Sequence, residues 1–165
     1  NTKYEVIWGN HDIHYASPNS GYMCSGYNPH TKFILNELVS LEDWKKFKIS
    51  VRVGGFLVSH AGFHESMLKY LDEADEAIKE ALTPGGTFHP LWSAGRSVGG
   101  PAPVGGPVWL RWDEEFEDIP GTPQIVGHSH APTVRTKGSS ICLDTANRHV
   151  LWVDEETNKT EVEKI

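Results

Sequence analysis

The 165-residue sequence predicts an α/β chain with a mixed β-sheet flanked by helices. Three observations lead there. Apolar residues at helical spacing are confined to the first half of the chain, while short strand-like runs crowd the segment after residue 107. Two apolar runs, 4–8 and 55–60, end directly in polar residues able to do chemistry, as strands of open α/β sheets do at their carboxyl ends.

Taken in order, "YEVIW" (4–8) reads as a short buried strand that Gly9 ends. Residues 13–31 are rich in Ser, Pro, Gly, Asn and Tyr and read as loop. Thr31 caps a predicted helix over about 32–47, with Ile34, Leu38, Leu41 and Trp44 on one side. "KISVRV" (48–53) alternates, and Gly54-Gly55 turns it into the mostly apolar strand "FLVSHAG" (56–62). A second helix is predicted over 65–82, where Met67, Leu71, Ala74, Ile78 and Ala81 repeat at helical spacing until "TPGG" stops it. A Gly/Pro-rich loop follows over about 85–107, with "VGGP" at both 98 and 104. The runs "VWLRW", "QIVGHSH", "PTVRTKG", "SICLDTA", "HVLWVD" and "TEVEKI" then read as strands, the last two joined as a hairpin by "DEETNK". The length suits one domain spanning 1–165.

A net charge of −7 argues against nucleic acid or an anionic membrane as the main partner. An anionic substrate would need local compensation, which a bound metal supplies. Cys24 and Cys142 stand in unrelated contexts and read as reduced thiols of a cytoplasmic protein. Neither a membrane span nor a signal peptide is visible in the sequence.

The nine histidines matter by grouping. Asn10 and His11 follow one predicted strand, His60 follows another, and His128 and His130 lie in "VGHSH". A single histidine at a strand end is usually a hydrogen-bonded structural group. Asn10, His60, His128 and His130 together form a nitrogen- and oxygen-rich set without thiolate, suited to zinc, manganese or iron. On an extended backbone His128 and His130 would face opposite ways; a loop there could converge them.

The ordered motifs "GNHD" (9–12), "SHAG" (59–62) and "GHSH" (127–130) resemble those of the calcineurin-like metallophosphoesterases, including bacterial and phage relatives of the phosphoprotein phosphatases. The resemblance implies a β-sandwich flanked by helices, two divalent ions (Mn, Fe or Zn), and a phosphorylated small molecule or phosphoprotein as substrate. It assigns Asn10, His60 and His128 to the second metal and His130 to the first. It makes His11 the general acid for the leaving alkoxide, oriented and held charged by Asp12. Arg111, shortly before "GHSH", resembles a phosphate-binding arginine, whereas Trp8 stands where the phosphoprotein phosphatases carry one.

Two motifs of that family, Asp-x-His and Gly-Asp-x-x-Asp, are not in this sequence. The carboxylates of "LDEADEA" belong to a solvated helix face, and Asp144 lies in the wrong place in the order to be the bridging carboxylate. The expectation is therefore the C-terminal portion of such a domain, lacking its first two strands. It should be inactive alone and able to associate through an uncovered sheet edge. Alternatives are a non-catalytic binding or structural module of the same fold, and a dinucleoside polyphosphate hydrolase. The metal reading requires the coordinating atoms of Asn10, His60 and His128 to lie within about 6 Å of one another, since bonds to one ion run about 2.0–2.2 Å.

Overall fold

Where the sequence passes from apolar to polar, the computed structural model ends three strands side by side; it describes residues 4–19, 21 and 24–165. Strands β1 (Ser50–Val53) and β2 (Phe56–Ser59) form an antiparallel hairpin. Its turn is closed by Gly54 at φ 55° and by the Gly55 N–H donating to Asn158 Oδ1 at 2.6 Å. β3 (Gln124–Val126) lies parallel to β2, β5 (Ser140–Cys142) lies parallel to β3, and β4 (Arg135–Lys137) closes the far edge antiparallel to β5. The sheet is mixed, in the order β1-β2-β3-β5-β4, and β6 (His149–Val153) and β7 (Thr160–Lys164) form a separate ribbon.

Register decides the two faces. Val58 pairs with Ile125 and Ile125 with Ile141, so these side chains and Phe56 share one face, against which Leu151 and Val153 of the ribbon pack. The other face presents Leu57 to a core containing Trp8, Trp44, Phe63 and Trp92, and Val126 and Cys142 to Leu110, Trp112 and Phe116. In the larger core Trp8 stacks on Trp44 at 5.3 Å and meets Trp92 edge-on at 5.9 Å.

Helices α2 (Pro29–Leu38), α3 (Leu41–Trp44) and α4 (Ala74–Leu82) depart from the predicted boundaries for local reasons. Pro29 occupies the first turn of α2, and Asn28, rather than Thr31, caps it by accepting from the His30 N–H at 2.8 Å. Ser40 and Asp43 form a reciprocal capping box that starts α3 afresh and breaks the helix expected over 32–47. Ile34, Leu38 and Leu41 are consequently exposed, and of the four predicted core residues only Trp44 is buried. The helix expected over 65–82 begins as a 3-10 helix, Glu65–Glu73, and α4 carries the buried face.

Two further readings are corrected. "YEVIW" makes only one bridge, with Ile7 beside Lys48, because Gly9 already starts helix α1 (Asn10–Ala16) where loop was expected. "VWLRW" is a turn rather than a strand, with Trp109 and Leu110 N–H both donating to the Gly106 carbonyl, yet Val108, Leu110 and Trp112 are buried. The 85–107 segment is largely loop, interrupted by 3-10 turns at Pro90–Trp92 and Arg96–Val98. Ser20, Tyr22 and Met23, which fall within the predicted 13–31 loop, lie outside the described residues. Among the described residues no helix is long and apolar enough to cross a membrane.

One buried amide fastens the turn after β2. Gln124 is fully buried; its Oε1 accepts from the Phe63 N–H at 2.7 Å and its Nε2 donates to the Phe63 carbonyl at 2.9 Å. Gly62, at φ 101°, completes that turn, and a Cβ there would sit 2.8 Å from the Phe116 ring. Gln124→Leu strands both Phe63 backbone groups without a partner. It is expected to lower unfolding free energy by about 2–6 kcal/mol, at about 1–3 kcal/mol for each of the two unsatisfied groups. Urea denaturation of the variant checks this; a loss below about 1 kcal/mol would show that the turn stands without the amide.

Candidate functional site

Each of the three parallel strands delivers a polar side chain just past its end. His60 follows β2 directly, His128 follows β3 after Gly127, and Asp144 follows β5 after Leu143. Asn10 arrives from the first turn of α1. His60 Nε2 lies 3.0 Å from Asn10 Oδ1 and 3.1 Å from His128 Nδ1. His128 reaches this position with φ at 64°, a left-handed backbone that a non-glycine residue adopts only when its surroundings impose it. That single dihedral breaks the alternation of "HSH". The exposed His130 does not join the trio and instead sets its Nδ1 3.4 Å from Asp144 Oδ1.

Burial pushes the His60 imidazole down to about 4, with the neighbouring His128 as the next cause. His128 is pushed down to about 4 by burial and then by the charge of Arg111. Asp144 opposes both shifts. Both rings are thus neutral near pH 7, with lone pairs available. A proton on His60 Nε2 shared between Asn10 Oδ1 and His128 Nδ1 satisfies these contacts, and with that proton on Nδ1 instead the same three atoms present lone pairs to a common point. A divalent cation suits this donor set. With bonds of about 2.1–2.2 Å set about 90° apart, adjacent ligand atoms lie roughly 3 Å from each other. Among the described residues no three His, Cys, Asp or Glu side chains gather as a metal site, so the amide of Asn10 completes the trio. Packing leaves little slack: a Cβ on Gly9 would sit 3.0 Å from Asp12 Oδ2 and 3.2 Å from the His60 ring.

The second half of "GNHD" is arranged differently from expectation. Asp12 Oδ2 accepts from the Gly9 N–H at 2.8 Å, closing the first turn of α1. Burial raises the Asp12 carboxyl, partly offset by the Gly9 bond and by the charge of His11. Among the described residues Asp12 makes no hydrogen bond to the His11 ring. His11 is exposed at the cleft, with Nδ1 3.5 Å from Cys24 Sγ. Arg111 stands on the rim with Nη2 3.6 Å from Glu114 Oε1. Trp8 is fully buried in the core and takes no part in the site.

These groups open into a cleft of about 960 Å³. His11, His60, His128, Arg111, Asp144 and Asn147 line its polar side, and Trp109 stands with its ring 6.0 Å from that of His128. Ile7, Val58, Ile125 and Leu143 line the rest. Asp144 is the single carboxylate among the described lining residues. Motif order set it aside, yet its strand-end position, the same signal that marks His60, was readable in "SICLDTA". Trp109 and Asn147 carried no comparable signal.

This α/β architecture is one found among phosphatases. Two solved structures share it: one described as a cold-active protein tyrosine phosphatase at 1.1 Å, the other as the cold-active protein-tyrosine phosphatase of a psychrophilic Shewanella species. Each superposes with a TM-score of 0.51 over 96% of this chain, at 13% and 14% identity. The chain spans 56% and 58% of their lengths. No protein-family model matches the sequence, and no curated protein matches it significantly.

The depressed imidazoles set an acid limit. As pH falls below the ordinary histidine value of 6.5, the unfolded chain takes up protons that folded His60 and His128 refuse until about pH 4. Stability conferred by the neutral pair is complete above pH 6.5 and is lost progressively toward pH 4. Denaturation in chelator across that window is expected to show a falling midpoint, with a shallower fall in His60→Gln. Equal slopes in the two proteins would show that these rings titrate normally.

Proposed function

We propose that this chain carries metal-binding and proton-donating residues of a metal-dependent phosphomonoesterase. The observation that supports the reading most is the meeting of Asn10 Oδ1, from the first turn of α1, with His60 Nε2 and His128 Nδ1 at strand ends, in contacts of 3.0–3.1 Å. The phosphatase fold of the matched structures supports it independently. Asn10, His60 and His128 would hold one cation, and His130, with Asp144 beside it, would face a second. When bound, Mn, Fe or Zn activates the attacking water and neutralises charge on the phosphoryl oxygens.

The chain's own residues account for the remaining steps. Arg111, on the rim, offers a guanidinium fork to the non-bridging oxygens of a phosphate, in exchange for its long contact with Glu114. His11, exposed at the same cleft, gives a proton from Nε2 to the leaving oxygen. Trp109 offers an aromatic wall to an aryl leaving group. The matched structures' names, protein tyrosine phosphatases, support a phosphorylated protein or small aryl ester as the substrate class.

Metal binding is the first test. The three ligands are neutral, so affinity should be modest, and titration with Mn²⁺ followed by calorimetry is expected to show binding that His60→Ala and His128→Ala each weaken about 10-fold or more. Identical isotherms for wild type and both variants would remove the metal and favour a non-catalytic module. The second test concerns His11. In the active protein, His11→Asn is expected to cut turnover of alkyl phosphates by about 10²–10⁴-fold, with a smaller loss for aryl phosphates whose leaving groups need less protonation. Equal losses for both substrates, or loss of bound Mn²⁺, would assign His11 another role.

A further inference from the structure

A general acid on an exposed helix turn needs something to hold its ring, and Asp12 is committed to the Gly9 N–H. Cys24 stands where an orienting group would be. Its backbone N–H donates to His14 Nδ1 at 2.9 Å, which identifies that nitrogen as an unprotonated acceptor. Cys24 Sγ lies 3.0 Å from the same His14 Nδ1 and 3.5 Å from His11 Nδ1. In the arrangement that leaves a sulfur lone pair toward the Nδ1–H of His11, the single lone pair of His14 Nδ1 is shared between the Cys24 N–H and the thiol S–H; the opposite arrangement, with S–H donating to His11 Nδ1, gives His11 the Nε2–H tautomer instead.

We infer that His14 and Cys24 form a hydrogen-bonded chain that positions His11, keeping its Nδ1–H on the sulfur and leaving Nε2 as the nitrogen that serves the cleft. The inference rests on the proposed role of His11 as proton donor. His14 is itself held from several sides. It sits one helical turn from Asn10 on α1 and stacks on Tyr27 at 4.5 Å and on Tyr15 at 6.0 Å. The Tyr15 hydroxyl accepts from the Asn28 N–H at 3.1 Å, which ties the stack to the start of α2. The anchor is thus built from α1, the 24–28 segment and α2. The proton balance is simple: His11 loses the Nε2 proton to the leaving oxygen, and its Nδ1 proton stays on the ring, shared with sulfur. A ring free to flip would offer the wrong nitrogen for part of the time. Cys24 is in these terms a positioning residue and touches no substrate.

The experiment reads the His11 ring directly. Long-range ¹H–¹⁵N correlation spectra of the full chain report which ring nitrogen carries the proton in the neutral form. Wild type and Cys24→Ser are expected to show the Nδ1–H tautomer, and Cys24→Ala a mixture of both. His14→Phe, which keeps an aromatic ring against Tyr27 and removes the acceptor, should weaken the bias without touching the thiol. It also provides the measurement should Cys24→Ala fail to fold. In the active protein Cys24→Ala is expected to lower kcat for alkyl phosphates roughly 5–30-fold with little change in KM, the scale of a small misplacement. Cys24→Ser should restore most of it, and aryl phosphates should lose less. The same tautomer balance in wild type, Cys24→Ala and His14→Phe overturns the inference. So does a biased tautomer whose loss leaves alkyl-ester turnover unchanged while His11→Asn abolishes it. An intact tautomer bias alongside full alkyl-ester turnover in His11→Asn instead overturns the reading of His11 as the acid, and the two failures are told apart.

Discussion

The ladder joining β2, β3 and β5 continues past the strands themselves. Gly127 N–H donates to the His60 carbonyl at 2.7 Å, and Leu143 N–H donates to the Val126 carbonyl at 2.7 Å. The backbone around His60, His128 and Asp144 is therefore held by main-chain bonds before any side chain contributes. Three strands running in one direction end together, and whatever follows them must share one opening. Fully buried Gln124 tightens this further by gripping Phe63, so the turn after His60 is tied back to the strand that carries His128. The geometry of the site is a consequence of sheet direction.

Electrostatics then determines what that opening can hold. The chain is strongly acidic overall, at −7, but its acidic side chains are largely elsewhere, and Asp144 is the single carboxylate among the described lining residues. Burial holds His60 and His128 unprotonated, and Arg111 adds positive potential at the rim. A cleft with neutral donors at its base and a cation at its edge attracts anions more than the net charge suggests. The same neutrality means that any cation proposed for this cleft would need additional negative ligands to be held firmly.

The aromatic core and the cleft are mechanically continuous. Trp8 is enclosed by Trp44, Phe47 and Trp92, and Gly9 and Asn10 follow it at once. Burying so large a side chain leaves little freedom where α1 begins, so Asn10 is aimed by the core rather than by its own contacts. The tryptophan before "GNH" thus gives the helix a rigid base.

Much of this was readable from residues alone. Strand-end placement singled out His60 and His128, the turn sequence "DEETNK" located the hairpin of β6 and β7, alternation marked β1, and helical spacing found α4. These signals are local or repeat with the period of the element that produces them. The rest depended on which of several local bonds prevailed. Asp12 can orient His11 or cap α1, and the orphan N–H of Gly9 claimed it. Ser40 and Asp43 capped a new helix because no core face required the old one to continue. His130 shares a motif with His128, yet one left-handed residue sent the two to different partners. Cys24 met His14 and His11 from ten and thirteen positions further along the chain, beyond the end of α1, where sequence carries no period to read. Residue types and their order determined which chemistry was possible. Burial, register and competition for backbone hydrogen bonds, which exist only once the chain has closed on itself, decided which side chains could take part.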